Sequence, residues 1–527
     1  MRVRVWVVMI GVAAVVFGAV AVAARLAWPT VRLDPADDAL ARVVLPGFAG
    51  SVTAVVRSSD GATVPVRLSH GRLWPLRRVP GGERITVELK VRRPGWAGWL
   101  AGHSDTRTFA LKTPVAHLLG RWLQVKTGSP VTIAFDRPVS LVSLGRAPAR
   151  RPARPRAVVP VGVVARGRHS AGVVEVAAAA RSWERLPPPV RVSWFPARPY
   201  PQLLAEPRPG GALQPRRQLT LTFSSRVEEV LAGRRPRLSP ATAGRWQRLD
   251  AHTLAFRPSG LGFGLGSTVR VHLPRGAHLA GHGGATLTRA LRWQVPAGST
   301  LRLQQLLAEL GYLPVDWEPA ADPPSSVDAQ LAAALAPPSG RFSWRYPNTP
   351  AELRAQWRPG LLTEITRGAV MMFEDTHALS VDAIAGPSVW RQLLADAIAG
   401  RRRNEGYSYV YVHRDLPQSL NLWHNGKVIL SSPGNTGVPA APTQLGTFPV
   451  FEHIPIGTMS GTNPDGSHYN DPGIRYISYF HGGEGIHAFN RSSFGTPQSL
   501  GCVELPLRAA AKVWPYTPIG TLVTVEN

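Results

Sequence analysis

The chain of 527 residues contains a single cysteine, Cys502, in the run Ser499-Leu500-Gly501-Cys502-Val503, fifteen residues after His487. A lone thiol has no partner for an intramolecular disulfide, which leaves an inert buried residue or a nucleophile. Cysteine attacks carbonyls as the thiolate, and a nearby imidazole can take its proton or pair with it as imidazolium. His487 meets that need if residues 490–498 fold back, and Gly495 and Pro497 permit such a turn. Gly501 lets backbone approach a substrate, and the N–H groups around Cys502 are candidates for stabilising a tetrahedral oxyanion. His413, His424, His453, His468 and His481 are numerous, but no pair has a recognised metal-ligand spacing, so neither metal nor cofactor is expected.

The elements that must carry these residues read as strands. Tyr407 to Val412 and Leu420 to Trp423 alternate, and Asn425-Gly426 before Lys427-Val428-Ile429-Leu430 is a type I′ hairpin signal. Tyr476 to Phe480 alternates again, and His481-Gly482-Gly483-Glu484-Gly485 turns into Ile486-His487-Ala488-Phe489. An all-β domain over 407–527 is expected, with His487 on a strand and Cys502 at the end of a loop.

The fold class expected for the whole chain is multidomain and mainly β, because its length exceeds one core and its 51 Gly and 50 Pro suit short strands joined by turns. Arg2 and Arg4 precede an apolar run from Val5 to Ala24, long enough to cross a hydrocarbon core of about 30 Å as a helix. Residues 1–28 therefore read as an N-terminal membrane helix or as a cleaved signal segment, since Ala19-Val20-Ala21 and Ala21-Val22-Ala23 resemble cleavage sites. Either reading places the bulk of the chain outside the membrane, where an unpaired cysteine is a liability unless its chemistry is needed.

The formal charge of +27 is uneven: residues 407–527 hold six basic and seven acidic side chains, so the excess lies upstream. A basic stalk of this kind suits anionic lipid headgroups or phosphate-rich wall polymers, and nucleic acid is a poor partner for an exported chain. Codon bias toward arginine is the competing explanation. Alternation at Ile85-Val87-Leu89, Val131-Ile133-Phe135, Leu219-Leu221-Phe223 and Val269-Val271-Leu273 predicts β-sandwich modules at 29–113, 114–199 and 200–297. Val131 to Val139 also resembles Leu219 to Val227, at an offset that fits a repeated immunoglobulin-like module. Arg146 to Arg156 is too rich in proline and like charge to pack and reads as a solvated loop.

Periodicity changes near Ser299. Leu303, Leu306, Leu307 and Leu310 predict an amphipathic helix, a second covers Ala369 to Phe373, and Trp390, Leu393, Leu394 and Ala397 predict a third opened by Pro387. These segments, with Asp382-Ala383-Ile384-Ala385-Gly386-Pro387, resemble the small three-helix peptidoglycan-binding-like domain, here at 298–400 with an insertion at 315–367 and Ala383 where that family usually has Gly.

Ile486-His487, then Ser499-x-Gly501-Cys502-Val503, with Asn425-Gly426 and Gly446-Thr447-Phe448-Pro449-Val450 upstream, resembles the L,D-transpeptidase catalytic domain of YkuD type over residues 407–527. The resemblance implies Cys502 as nucleophile and His487 as general base. It also implies Ala488 orienting the imidazole, Ser499 and Gly501 shaping the oxyanion site, and Tyr476, Tyr479 and Phe489 binding substrate. Peptidoglycan stem peptides are the implied substrates, joined 3-to-3 with release of D-alanine; water or a protein amine as acceptor would give carboxypeptidase or anchoring activity instead. Leu500 stands where His, Lys or Arg often precedes the Gly-Cys pair, and Glu504 where Asn or Arg often follows.

Overall fold

The computed structural model describes all residues except 1, 27–29, 46, 48, 49, 97, 99–101, 166–170, 199 and 275–290. Arg2–Leu26 is helical. Among the described residues no helix is long and apolar enough to cross a membrane; the side chains of residues 2–8, 10 and 24–26 of this segment lie outside the described set. The rest is mainly β and divides into two compact units, one built mainly on Met1–Leu204 and the other mainly on Leu231–Ala277 and Thr288–Asn527.

In the first unit, alternation does what the pattern requires. Arg84–Arg92 buries Ile85, Val87, Leu89 and Val91 and exposes or half-exposes the residues between them. It pairs with Val52–Arg57 on one side and Ser104–Lys112 on the other, and a second four-stranded sheet closes the core. A further set of strands follows, in which Pro130–Val139 pairs with Arg156–Val164 and Gly172–Ala179 pairs with Val190–Pro196. The basic stretch 146–156 is exposed apart from half-buried Pro152. In Leu219–Phe223 every residue is buried, so this strand lacks the one-sided exposure of its look-alike at 131–135.

The second unit contains the helices. Thr300–Glu309, Glu364–Thr376 and Pro387–Ala399 form around the three apolar stripes, the last opened by Pro387 at its first turn. Residues 315–367 are more than an insertion. Val315–Pro319 pairs antiparallel with Gly340–Trp344, Val327–Leu335 forms a helix capped by Ser326, and Leu331, Leu353 and Ile365 enter the same core as Leu306 and Trp390.

That core continues into the C-terminal domain through Tyr407, Tyr409, Trp423 and Leu522. The segment after the Val315–Trp344 hairpin docks there by hydrogen bonds. Tyr346 Oη donates to Asn425 Oδ1 at 2.6 Å, Trp423 Nε1 donates to Asn348 O at 3.1 Å, and Gln356 Nε2 donates to Thr447 Oγ1 at 3.2 Å.

The C-terminal strands are numbered here as β1 (Ser408–His413), β2 (Ser419–His424), β3 (Lys427–Pro433), β4 (Gly446–Pro449), β5 (Glu452–Thr462), β6 (His468–His481), β7 (Glu484–Ala488), β8 (Val503–Leu505) and β9 (Leu522–Glu526). They form two sheets, β3-β2-β1-β9-β4 and β5-β6-β7-β8, with β1/β9 and β7/β8 parallel. Val410, Val412, Leu420, Leu422, Ile486, Val503, Leu505, Val523 and Val525 fill the core between them. Asn425 and Gly426 both have positive φ, +49° and +86°, as a type I′ turn requires. The domain is not all-β: Leu507–Val513 is a helix that follows Pro506 and buries Ala509, Ala510 and Val513. Three consecutive alanines in a short segment gave too little periodicity to mark it.

Helix Glu364–Thr376 meets the C-terminal domain backbone to backbone. A Cβ at Gly368 would lie 2.4 Å from the Gly520 carbonyl oxygen, and one at Gly520 2.2 Å from that of Gly368. Gly368→Ala is expected to lower stability by about 1–3 kcal/mol through overpacking, read as a lower thermal midpoint of this unit; an unchanged midpoint would show that the contact is not needed.

Candidate active site

β7 and β8 run parallel with Ile486 opposite Val503, His487 opposite Glu504 and Ala488 opposite Leu505. Cys502 immediately precedes β8, so the register sets it level with Gly485, two residues from His487 along the neighbouring strand. The Gly485 N–H donates to the sulfur, and Sγ lies 3.7 Å from the Gly483 carbonyl. His487 is buried, with Nδ1 at 3.0 Å from the Ala488 carbonyl oxygen. A carbonyl only accepts, so Nδ1 carries the hydrogen and Nε2 keeps its lone pair.

Burial pushes the Cys502 thiol up to about 11, and the charges of Glu504 and Glu484 push the same way against the Gly485 hydrogen bond. Burial lowers His487 below the usual imidazole value, opposed by the Ala488 carbonyl and the Glu504 carboxylate. The resting pair at neutral pH is therefore thiol and neutral imidazole. A base of this kind takes the proton as sulfur attacks, rather than storing a thiolate beforehand.

Gly501 has φ +107°, a conformation side chains avoid, and a Cβ there would sit 3.1 Å from Glu484 Oε1. Ser499 Oγ donates to the Cys502 carbonyl at 2.6 Å, tying the turn across its own ends. Residues 434–438 brace the outside of this loop: Asn435 exchanges two backbone hydrogen bonds with Glu504, and Val438 N–H donates to the Ser499 carbonyl.

Glu504 fills its unusual position with a buried ion pair. Its side chain is 4% exposed and receives Arg491 through two contacts, Nε to Oε2 at 2.9 Å and a terminal nitrogen to Oε1 at 2.7 Å. The same Arg491 nitrogen reaches the Gln498 carbonyl at 3.0 Å, and the guanidinium lies 4.6 Å over the Phe489 ring. Phe489 in turn meets His487 edge-on at 5.9 Å. The loop 490–498 is thus pinned at its start, its end and to the strand after the cysteine. Leu500 is half-buried, and nothing in the structure explains its choice.

The three expected substrate-binding residues separate. Tyr479 stacks on Phe451, and burial raises its phenol, with the charge of Cys502 the next contribution. Tyr476, at φ +62°, is half-buried against the core and beside Trp514, 6.1 Å away. Phe489 lies on the His487 side. Tyr469, which the sequence pattern did not single out, is also buried enough to raise its phenol and lies within reach of the Cys502 charge. It stands over Gly461 on the long β5–β6 hairpin, and no motif marks it; only the pairing of Gly461 with Tyr469 carries it there.

Residues 408–525 match the family model of YkuD, the L,D-transpeptidase catalytic domain. The segment is an L,D-transpeptidase-type domain. No curated protein matches the chain. Among solved structures, the catalytic domain of the Enterococcus faecium L,D-transpeptidase is 27% identical, covering 24% of this chain and 100% of its own, with TM-score 0.21. L,D-transpeptidase 3 of Mycobacterium tuberculosis is 11% identical over 62% of this chain and 99% of its own, and an L,D-transpeptidase from Mycobacterium smegmatis is 13% identical over 62% and 99%, both with TM-score 0.21. In this YkuD-type domain His487 lies on β7 and the Gly501-Cys502 turn leads directly into the adjacent parallel strand β8.

Replacing Glu504 by Gln removes the anion that faces His487 and leaves Arg491 with one fewer charged partner. Stability is expected to fall by about 2 kcal/mol in urea unfolding. The acid limb of the activity profile should move to lower pH, because the anion raises the imidazole pKa and its loss lowers it. A limb that stays in place would separate Glu504 from the base.

Proposed function

We propose that the protein is an L,D-transpeptidase that joins peptidoglycan stem peptides 3-to-3 through a Cys502 thioester. The observation that carries this reading is Cys502 immediately before β8 and buried His487 on the adjacent parallel strand β7, within a segment that matches the YkuD model. In the first half-reaction His487 Nε2 takes the thiol proton while sulfur attacks the carbonyl of the third residue, a diamino acid, of a tetrapeptide stem. The C–N bond to the terminal D-alanine breaks, and His487 returns the proton to the leaving amine. In the second half-reaction the free side-chain amine of another stem attacks the thioester. A C–N bond forms as the C–S bond breaks, and the proton lost by nitrogen passes through His487 to sulfur.

Backbone N–H groups of the Gly501-Cys502 turn are suited to the oxyanion in both steps, since the positive φ of Gly501 turns the peptide toward the reacting carbonyl. Ser499 holds that turn and Ala488 holds the imidazole tautomer. Tyr479 and Tyr469 supply apolar walls on the sulfur side. The N-terminal segment, with Arg2 and Arg4 ahead of its apolar run, serves as a membrane anchor with the catalytic domain outside the cytoplasm. The basic β-rich region after it is suited to anionic wall polymers.

The test is to incubate the full chain and Cys502→Ala with disaccharide tetrapeptide and follow products by mass spectrometry. Dimer and free D-alanine are expected from the native chain and neither from the variant; absence of D-alanine from both would end the proposal. A second expectation follows from the titration order. D-alanine release should fall only on the acid side of the usual imidazole range, as His487, whose pKa burial lowers, gains its proton, and stay level through neutral pH, because the thiol remains protonated up to about 11. A rate that climbs steeply between pH 7 and 9 would instead require a preformed thiolate.

A further inference from the structure

Strands Arg237–Ser239, Thr268–His272 and Leu291–Gln294 form a three-stranded antiparallel sheet in the second unit. Alternation sorts its side chains onto two unlike faces. Leu238, Val269, Val271, Leu291 and Trp293 share the inner face, where Val269, Val271 and Trp293 are fully buried. The outer face sets Arg237 opposite His272, and Arg270 between Ser239 on one neighbouring strand and Arg292 on the other. Thr268 and Gln294 complete that face, so it carries no carboxylate. The turn ahead of the first strand adds Arg234 and Arg235, which with Arg237, Ser239 and His272 line a cavity of about 790 Å³ that has no acidic residue in its walls.

This arrangement works against folding. Arg270 and Arg292 stand directly across from each other, where Cβ atoms are about 5 Å apart and like charges weaken a sheet. Arg270 is also half-buried, so its charge is partly desolvated. Among the described residues the side chains of Arg235, Arg237, Arg270 and Arg292 make no hydrogen bond or ion pair. Elsewhere in the same unit Arg216, Arg341 and Arg345 each hold an aspartate or a glutamate. The outer face is therefore a row of unneutralised guanidinium groups that an anion from outside the chain would relieve.

We propose that this face binds the phosphodiester backbone of an anionic wall polymer. Arg270 and Arg292 share one phosphate, each taking one of its two free oxygens, and Arg237 with His272 holds the next, about 7 Å along the strands. The chain then continues past Arg235 in the cavity. A planar carboxylate is filled by a single guanidinium fork, whereas a tetrahedral phosphate points its free oxygens apart and bridges two that face each other. A membrane surface is a poorer match, because none of the large exposed apolar side chains lies on this sheet to enter a lipid interface. Single-stranded nucleic acid is poorer too, since Trp293 is buried on the inner face and leaves no indole or phenyl ring on which bases stack. The inference narrows the attraction to wall polymers proposed above to one surface, and takes from the transpeptidase reading only its setting outside the cell.

The test measures binding of a synthetic poly(glycerol phosphate) oligomer to the full chain by calorimetry over a salt series. Two triple variants are compared with the native protein. One is Arg237→Gln with Arg270→Gln and Arg292→Gln; the other is Arg146→Gln with Arg151→Gln and Arg154→Gln, which removes the same charge from an exposed loop of the first unit. The sheet variant is expected to bind at least about ten-fold more weakly, with a slope of log K against log salt shallower by about two. The loop variant should stay within about two-fold of the native chain. Arg292→Glu alone places an opposite charge across from Arg270, and should melt higher than the native protein while binding the oligomer less tightly, which separates lost binding from lost folding. Equal losses in the two triple variants would reduce the effect to net charge and overturn the site. Equal affinity of the native chain for poly(glutamate) would overturn the phosphate assignment. Anionic-lipid vesicles that lost binding to the sheet variant while the oligomer kept it would mark a membrane contact instead. D-alanine release from soluble disaccharide tetrapeptide uses none of these residues and should be the same in every variant, so failure of either reading leaves the other standing.

Discussion

The parallel pairing of β7 with β8 is the constraint on which the site depends. Two strands in parallel need a long connection, and here the connection, residues 489–502, is the loop that ends in the nucleophile. Once Ile486 is opposite Val503, Cys502 is level with Gly485, two residues from His487 on the neighbouring strand, regardless of the fourteen residues between them. The pairing is itself held by core packing, since Ile486, Ala488, Val503 and Leu505 are all buried against the second sheet. A slip by one residue would bring His487 and Glu504 to the apolar face and unpair their partners.

Ordering a long loop costs conformational entropy, and the chain offsets it with a few polar contacts of high value. Arg491 reaches both the far end of its own loop and the strand beyond the cysteine. Ser499 closes the tight turn, and Asn435 accepts from Gly495 N–H at 3.0 Å while its backbone pairs with Glu504. Glu504 is thus the buried anion that an arginine in the loop requires. Its departure from the commoner sequence is balanced by a residue thirteen positions away.

The helical segment before this domain is joined to it by a shared core rather than by a tether. Tyr409 and Trp423 pack in the helical core, Val410 and Leu422 in the core between the sheets, and so β1 and β2 are covered on both sides. The docking contacts of Tyr346, Asn348 and Gln356 fall on β2, on β4 and on the turn after β2, in a different sheet from Cys502. Residues 315–367 therefore act on the stability of the platform. A spacer would not need glycines facing each other at 368 and 520.

What the sequence determined by itself was local. A lone cysteine, a histidine at fixed distance, glycine where the turn needs positive φ and Asn-Gly at a hairpin are all written in residue type and spacing, because each answers to backbone sterics or to the chemistry of one group. Helices with a three-and-four spacing of leucines were legible for the same reason, whereas the Ala-rich helix at 507–513 carried no such contrast. Tertiary structure decided what depends on residues far apart in the chain. It packed Tyr476 half-buried beside Trp514, set Tyr469 over Gly461, paired Glu504 with Arg491, and opened a charged cavity at a bulge whose extra residue, Gly473, is visible only against its partner strand. The physical reason is that burial, register and charge pairing are properties of pairs of segments, and no spacing within one segment records them.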